Sequence, residues 1–266
     1  MKILAFGDIY WRVGRKALKK ELPWLQEKHN PDFILVNVDN ISSWRWAIEH
    51  HVREMNDLWV DIMTWGDHIY DNFSHIKDYL QSQDTNLLVP ANTYREDDTQ
   101  WYKVFEKNWK RLLVIHLMGN VFMRDNLYNP FLKADEILAW DHGRLDGVIV
   151  DFHKEATSEI YWLWMYLDGR IGSIFGTHTH VQTNDETILP NGTGIMCDIW
   201  MVWPLYTVIG ATFESVKNRF LTGINKWKIQ QWLWKDYIVN GVCIEIDEQT
   251  WNCTSMEKIR IQSKII

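Results

Sequence analysis

Five short apolar runs in this chain each lead into residues able to bind a metal ion, and this repetition constrains the fold more than any other feature. Residues 3–6 lead into Gly7-Asp8, residues 33–36 into Asn37-Val38-Asp39-Asn40, and residues 60–64 into Gly66-Asp67-His68. Residues 147–150 lead into Asp151-Phe152-His153, and residues 171–175 into Gly176-Thr177-His178-Thr179-His180. Runs this short and this largely apolar read as strands buried in a sheet. Helical periodicity fills the gaps: residues 13–28, with Leu18, Leu22 and Leu25 on one side, then 47–58, then 72–81 with Asp71 or Asn72 as its cap. Alternating strands and helices predict an α/β domain with a largely parallel sheet.

The rest of the chain adds two strands at 101–106 and 111–117 around a turn at 107–109, and helices at 133–141, 158–167 and 213–221. Pro190-Asn191-Gly192 is a turn between strands at 187–189 and 194–197, and further strands are expected at 228–234, 237–246 and 254–261. The 266 residues are 46% hydrophobic, with no linker, repeat or low-complexity segment, so residues 1–266 are expected to form a single domain.

Bulk charge removes several function classes. A net charge of -7 argues against a general nucleic-acid or membrane-surface binder. Cys197, Cys243 and Cys253 lack the spacing of a disulfide framework or zinc ribbon, which predicts a reducing compartment. The apolar start is too short for a signal-peptide core, and no apolar run approaches the roughly 20 residues that span a bilayer. A soluble cytoplasmic protein is expected.

In open α/β sheets, ligands bind beyond the carboxyl ends of the strands. Asp8, Asp39, Asn40, Asp67, His68, His153, His178 and His180 should therefore converge on one edge. Each has a plain reading by itself: a turn residue, a helix cap, a core histidine, two loop histidines. Together they form a donor set of carboxylate, amide and imidazole that suits zinc, manganese or iron and is large enough for two ions. His178 and His180, at i and i+2 on extended backbone, are expected to project to one side.

The same residues carry a resemblance. Gly7-Asp8, Gly66-Asp67-His68 and Gly176-Thr177-His178-Thr179-His180 resemble the blocks of the calcineurin-like metallophosphoesterases, and more narrowly the bacterial YmdB-type members. Val150-Asp151-Phe152-His153, Glu155-Ala156-Thr157-Ser158-Glu159 and Ile188-Leu189-Pro190-Asn191-Gly192-Thr193 extend the likeness, which runs nearly end to end. It implies a four-layer α/β sandwich with mixed sheets around two divalent metal ions (Fe, Mn or Zn). It further implies hydrolysis of phosphomonoesters or phosphodiesters such as 2',3'-cyclic nucleotides. By position, Asp8, Asp39, Asn40, Asp67, His153, His178 and His180 match the family's metal ligands, with Asp39 as the bridge. His68 matches the histidine that assists the leaving group. Asp151, Glu155 and Asp198 are candidates to orient the imidazoles.

The chain departs from that pattern in places. Asp39 stands where the family has glutamate, Asp67 where it has asparagine, and Val38 where it has glycine. Asp67 adds negative charge, which should tighten metal binding and weaken the positive field on a phosphate. Seventeen tryptophans is a heavy load. Trp11, Trp44, Trp46, Trp200 and Trp203 fall where the family carries glycine, whose positive φ a bulky residue adopts at a cost. Either the indoles wall the cleft and stack on a base, or they partly block it.

Two functions stay open on these grounds. The first is a dinuclear phosphoesterase acting on a small phosphoester or cyclic nucleotide. The second is a metal-containing nucleotide-binding or regulatory protein with weak catalysis or none. Single-stranded nucleic-acid binding fits poorly with the acidic charge. A metallo-β-lactamase-type site fails because Val181-Gln182-Thr183 follow the histidine pair. A homo-oligomer is left open.

Overall fold

A computed structural model describes residues 1–42, 47–71, 73–93, 102–124, 127–224, 230 and 235–265, without the side chains of residues 69 and 70. In chain order the elements begin β1 (Lys2–Phe6), β2 (Asp8–Ile9), α1 (Trp11–His29), β3 (Phe33–Asn37), α2 (Glu49–Asn56) and β4 (Ile62–Thr64). Two 3-10 turns, Asp67–Tyr70 and Phe73–His75, precede α3 (Lys77–Leu80) and β5 (Leu87–Leu88). The middle holds β6 (Tyr102–Lys107), β7 (Lys110–Met118), α4 (Pro130–Leu138), β8 (Gly147–His153), α5 (Thr157–Leu167) and β9 (Ser173–Thr177). The chain continues with β10 (Thr187–Ile188), β11 (Gly194–Met196), β12 (Met201–Pro204), α6 (Phe213–Thr222), β13 (Asp236–Ile246) and β14 (Cys253–Lys264).

The strands form two mixed sheets. One has the order β2-β12-β13-β1-β3-β4-β5, with β14 on the other edge of β13. The second is β10-β11-β9-β8-β7-β6. The parallel runs are β1-β3-β4-β5 and the edge pair β2-β12 in the first sheet, and β7-β8-β9-β11 in the second. The expectation of a largely parallel sheet is corrected here, because β13 runs antiparallel to β1 and β14 antiparallel to β13.

Period-two alternation explains the four layers. On β1, Ile3 and Ala5 join an inter-sheet core with Phe33 and Leu35 of β3, while Leu4 and Phe6 face the helices. Leu112 and Val114 of β7 and Ile149 of β8 close that core from the second sheet. The first sheet's outer face packs on Val13, Ala17, Leu18, Leu22 and Leu25 of α1 and on Val52 and Met55 of α2. The second sheet's outer face, through Leu113, Ile115, Val148 and Val150, packs on Ala134 and Ile137 of α4 and on Ile160, Leu163 and Leu167 of α5. Both sheets are covered on both faces, which is why their central strands read as unbroken apolar runs.

Local signals set several boundaries. Asn129 caps α4 by accepting from the backbone N–H of Phe131 and Leu132, with Pro130 at the first turn. Thr212 caps α6, and Gly223 ends it at φ 70°. The helix expected at 72–81 is broken: a 3-10 turn covers 73–75 and regular helix only 77–80. The strand expected at 228–234 lies almost wholly outside the described residues, as do Trp44 and Trp46.

Candidate metal centre

The carboxyl ends of β3, β4, β8 and β9 meet at one edge, and the alternation that built the inter-sheet core also places the polar residues there. On β8, Asp151 and His153 continue the inward row of Ile149. On β7, His116 continues the row of Leu112 and Val114, and on β9 Thr177 follows Phe175. On β3, Asn37 follows Phe33 and Leu35. All five polar residues are buried.

They form a hydrogen-bonded chain that orients one imidazole. The Thr177 hydroxyl donates to Asp151 Oδ1 at 3.0 Å. Its oxygen must then accept from its other neighbours, His153 Nδ1 at 2.9 Å and Asn37 Nδ2 at 3.4 Å. That fixes the proton of His153 on Nδ1 and leaves a lone pair on Nε2. His116 backs Asp151, with Nδ1 3.4 Å from Oδ2 and Nε2 3.2 Å from the Trp65 carbonyl. Burial pushes His116 below the ordinary imidazole range.

The Nε2 lone pair of His153 faces Asp67 Oδ1 at 3.2 Å and His178 Nδ1 at 3.2 Å, and those two atoms are 3.4 Å apart. The outer nitrogen of His178, Nε2, lies 3.2 Å from Glu155 Oε2, which can take its proton. Three lone pairs thus point at one another, and a single proton can satisfy only one of the contacts. The spacing matches donors around a tetrahedral ion bound at 2.0–2.1 Å, which sit about 3.3 Å apart. The residues fit a divalent cation.

A second group shares Asp67. Asp39, Asp67 and His68 bring ligand atoms within 4.8 Å of one another. Asp39 Oδ2 is 3.9 Å from both His68 Nε2 and His153 Nε2, and its Oδ1 accepts the His68 backbone N–H at 3.1 Å. Asp8 closes the far side. Its Oδ2 is 2.9 Å from His180 Nε2 and accepts the His178 backbone N–H at 3.3 Å, while its buried Oδ1 has no hydrogen-bond partner. Asn40 is buried beside Asp39, and its carbonyl accepts the Trp11 backbone N–H at 2.9 Å.

The electrostatics of these groups favours a cation among them. Burial raises Asp39 well above the carboxylate range, and the charges of Asp67 and Asp8 raise it further. Burial also opposes ionisation of Asp67, but the neighbouring imidazoles of His153 and His178 outweigh it and the net direction for Asp67 is downward. For Asp8, burial is likewise outweighed by His180. Burial lowers His178, yet Asp67 more than offsets this and the net direction is upward. For His68 burial prevails over the pull of Asp67 and Asp71, and the net direction is downward.

Two expectations need correction. His178 (φ 98°) and His180 (φ 57°) are not on extended backbone, because β9 ends at Thr177. They part company, one ring facing Asp67 and the other Asp8. Asp198 holds this loop: it accepts the Thr179 N–H at 3.0 Å, the Thr179 hydroxyl at 2.8 Å and the Trp200 N–H at 2.8 Å, and buried Lys154 lies 3.7 Å away. Of the candidates to orient the imidazoles, Asp151 acts through Thr177 and Glu155 touches His178, whereas Asp198 touches the loop backbone.

Sequence reasoning missed Asp71. Its Oδ2 is 3.0 Å from His68 Nδ1, and its Oδ1 is 2.9 Å from Arg124 Nη1. An acid three residues after a candidate histidine on one helical turn was the available signal. Gly66 is required for space, because a Cβ there would lie 2.2 Å from His153 Nε2. A cavity of about 670 Å³ lies elsewhere, among Met1, Lys2, Asp32, Lys110 and Glu248 at the opposite strand ends, where the charges pair with one another.

Trp11 and Trp200 flank the centre, both half-buried and both left-handed, at φ 52° and 75°. The Trp200 ring lies 6.1 Å from Trp203, and the Arg260 guanidinium is 5.4 Å from the Trp200 ring centre.

A four-layer α/β sandwich with carboxylates and imidazoles gathered at the carboxyl ends of both sheets defines a metal-dependent phosphoesterase of calcineurin-like fold. Residues 4–259 match the YmdB-like protein family, and the chain belongs to that family. It is 35% identical over 262 residues to the 2',3'-cyclic-nucleotide 2'-phosphodiesterase of Bacillus subtilis (strain 168), covering 98% of this chain and 97% of the relative. A solved structure of a hypothetical protein from Thermus thermophilus is similar at TM-score 0.89 and 28% identity, over 98% of this chain and 99% of that one. A novel phosphatase from Mycoplasma pneumoniae is similar at TM-score 0.90 and 29% identity, over 99% and 94%. Among the described residues, no helix is long and apolar enough to cross a membrane.

Proposed function

We propose that this chain hydrolyses small phosphodiesters, 2',3'-cyclic nucleotides foremost, at a centre for two divalent ions. The observation that carries the reading is the convergence of His153 Nε2, His178 Nδ1 and Asp67 Oδ1, with Asp67 shared by the group of Asp39 and His68. Asp67, His153 and His178 would hold one ion, and Asp8 and His180 extend the donor set beside it. Asp39 and Asp67, which lie in both groups' reach, are the candidates to face a second, with Asn40 alongside. Bound ions of this kind supply Lewis-acid polarisation of the phosphoryl oxygens and an acidified water.

The chain's own residues do the rest. Asp71 accepts the proton on His68 Nδ1 and Arg124 braces Asp71, so His68 Nε2 is held facing the centre. As the imidazolium, with one proton on Nδ1 held by Asp71 and a second on Nε2, His68 gives the Nε2 proton to the departing alkoxide and is left neutral. Thr177 and Asp151 keep His153 in the tautomer whose Nε2 is bare, and Glu155 does the same for His178 Nδ1. Three carboxylates in one place oppose a phosphate until cations balance them, so metal loading precedes substrate binding in this scheme.

We read the chain as one domain, because the inter-sheet core joins residues from β1 to β14. Its three free, buried cysteines suit a reducing compartment. The test is turnover of bis-p-nitrophenyl phosphate and of 2',3'-cyclic AMP by protein loaded with manganese or iron. Hydrolysis should exceed that of a His68→Ala variant by orders of magnitude. Calorimetric binding of the cyclic nucleotide without product would instead favour the regulatory alternative, for which the two tryptophans beside the centre speak.

A further inference from the structure

Five of the eleven described tryptophans have left-handed backbone: Trp11 (φ 52°), Trp59 (φ 63°), Trp109 (φ 66°), Trp200 (φ 75°) and Trp251 (φ 62°). Bulky residues are outliers in that region, where glycine is at home. The slots themselves are of kinds that glycine fills. After α2, the Trp59 N–H bonds to the Asn56 carbonyl at 2.9 Å and the Val60 N–H to the Met55 carbonyl at 3.2 Å. That pair of bonds is a Schellman cap, with position 59 at its left-handed residue, usually glycine. In the β6–β7 hairpin, Lys107 pairs with Lys110, leaving Asn108 (φ 51°) and Trp109 as a two-residue loop. Two left-handed central residues make a type I' turn, whose favoured sequence is Asn-Gly. Trp251 closes the β13–β14 loop, its N–H 2.9 Å from the Asp247 carbonyl.

At positions 11 and 200 the metal centre uses only the main chain. The Trp11 N–H reaches the Asn40 carbonyl at 2.9 Å, and the Trp200 carbonyl accepts the Asp8 N–H at 3.2 Å. Of the five indoles, that of Trp200 has its nitrogen buried without a hydrogen-bond partner, which a placed tryptophan usually has, while that of Trp251 donates to the Leu145 carbonyl at 3.2 Å. Trp59 and Trp109 are 78% and 96% exposed, so no burial offsets their backbone.

We propose that glycine occupies positions 11, 59, 109, 200 and 251 in the polypeptide as its own cell makes it, and that one codon read here as tryptophan is decoded there as glycine. UGA is such a codon: lineages that have reassigned this stop read it as one residue or the other. A single decoding difference alters every such position at once, whereas five independent substitutions would each have to enter an unfavourable slot. The glycine form keeps the main-chain bonds to Asp8 and Asn40 and removes both indoles beside them. The proposal is independent of the activity assigned above.

Peptide mass mapping of the protein purified from its native cell should give glycine masses at these five positions, and indole-bearing masses there would overturn the proposal. In the tryptophan-bearing chain, Trp59→Gly and Trp109→Gly should each raise Tm by roughly 2–4 °C. Trp24→Gly, in the right-handed interior of α1, should lower it. A fall in Tm for both Trp59→Gly and Trp109→Gly, or a rise for Trp24→Gly equal to theirs, would show that the slots do not select glycine.

Discussion

Thr177→Val tests the hydroxyl on which the orientation of His153 depends. Valine keeps the shape and the β-branch of threonine and removes only the hydroxyl. It leaves Asp151 Oδ1 without the donor at 3.0 Å and His153 Nδ1 without the acceptor at 2.9 Å, both in a fully buried setting. Each stranded buried polar group costs about 1–3 kcal/mol, so the pair costs roughly 2–6 kcal/mol. Against a total stability of about 5–15 kcal/mol that is a large share. With a urea m-value of about 3 kcal/mol/M, the upper end of the small-protein range and suited to a chain of this length, the unfolding midpoint of protein in chelator should fall by about 0.7–2 M. The second consequence concerns the lone pair. Once Nδ1–H loses its acceptor, the imidazole is free to change tautomer, and manganese affinity by calorimetry should drop about 10–100-fold. Thr177→Ser, which keeps the hydroxyl, should recover most of the affinity. If Thr177→Val kept the parent's urea midpoint and its manganese affinity, the buried chain from Asp151 to His153 would not be what orients the ligand.

Three further outcomes are expected. Gly66→Ala drives a methyl into His153 Nε2, 2.2 Å from the added carbon, and should abolish manganese binding at that group while far-UV dichroism stays native. Asp71→Asn should lower kcat about 10–100-fold with little change in KM, because it releases His68 without touching the metal donors; an unchanged kcat would remove Asp71 from the mechanism. Burial pushes His51 down to about 4, while an unfolded histidine titrates near 6.5. The unfolded state therefore binds more protons between those values, and stability should fall as pH drops from 6.5 to 4. His51→Gln should flatten that slope in urea titrations, and a slope identical to the parent's would assign it to other groups.

The central strands were legible because burial on both faces leaves an unbroken apolar run, and their ends were legible because carboxylates and imidazoles follow directly. Pairs of residues as short as β2, β5 and β12 were not, since two to four residues carry no periodicity. The mixed character of both sheets was hidden for a different reason: an antiparallel strand buried on both faces looks like a parallel one. The candidate donors follow from position along the chain, but the bends that direct His178 and His180 apart are a property of their backbone, which the spacing of two histidines does not show. His116, Asn37 and Thr177 carried a usable signal, each standing two residues beyond an inward apolar position on its strand. Asp71 owes its place to the 3-10 turn Asp67–Tyr70, which it closes just before the expected helix.

The hydrogen bonding of β1 has a consequence for how the polypeptide reaches this state. Its partners are β3, about thirty residues away, and β13, where Lys2 meets Glu245 and Phe6 meets Gly241. During synthesis, one flank of β1 thus stays open until nearly all the chain has emerged. Closure over such a span is slow, and an apolar strand with a bare flank invites pairing with the wrong molecule. A message cut short before codon 236 would yield a product that retains Asp8 but has lost the strand that seals β1, leaving it a substrate for chaperones and proteases.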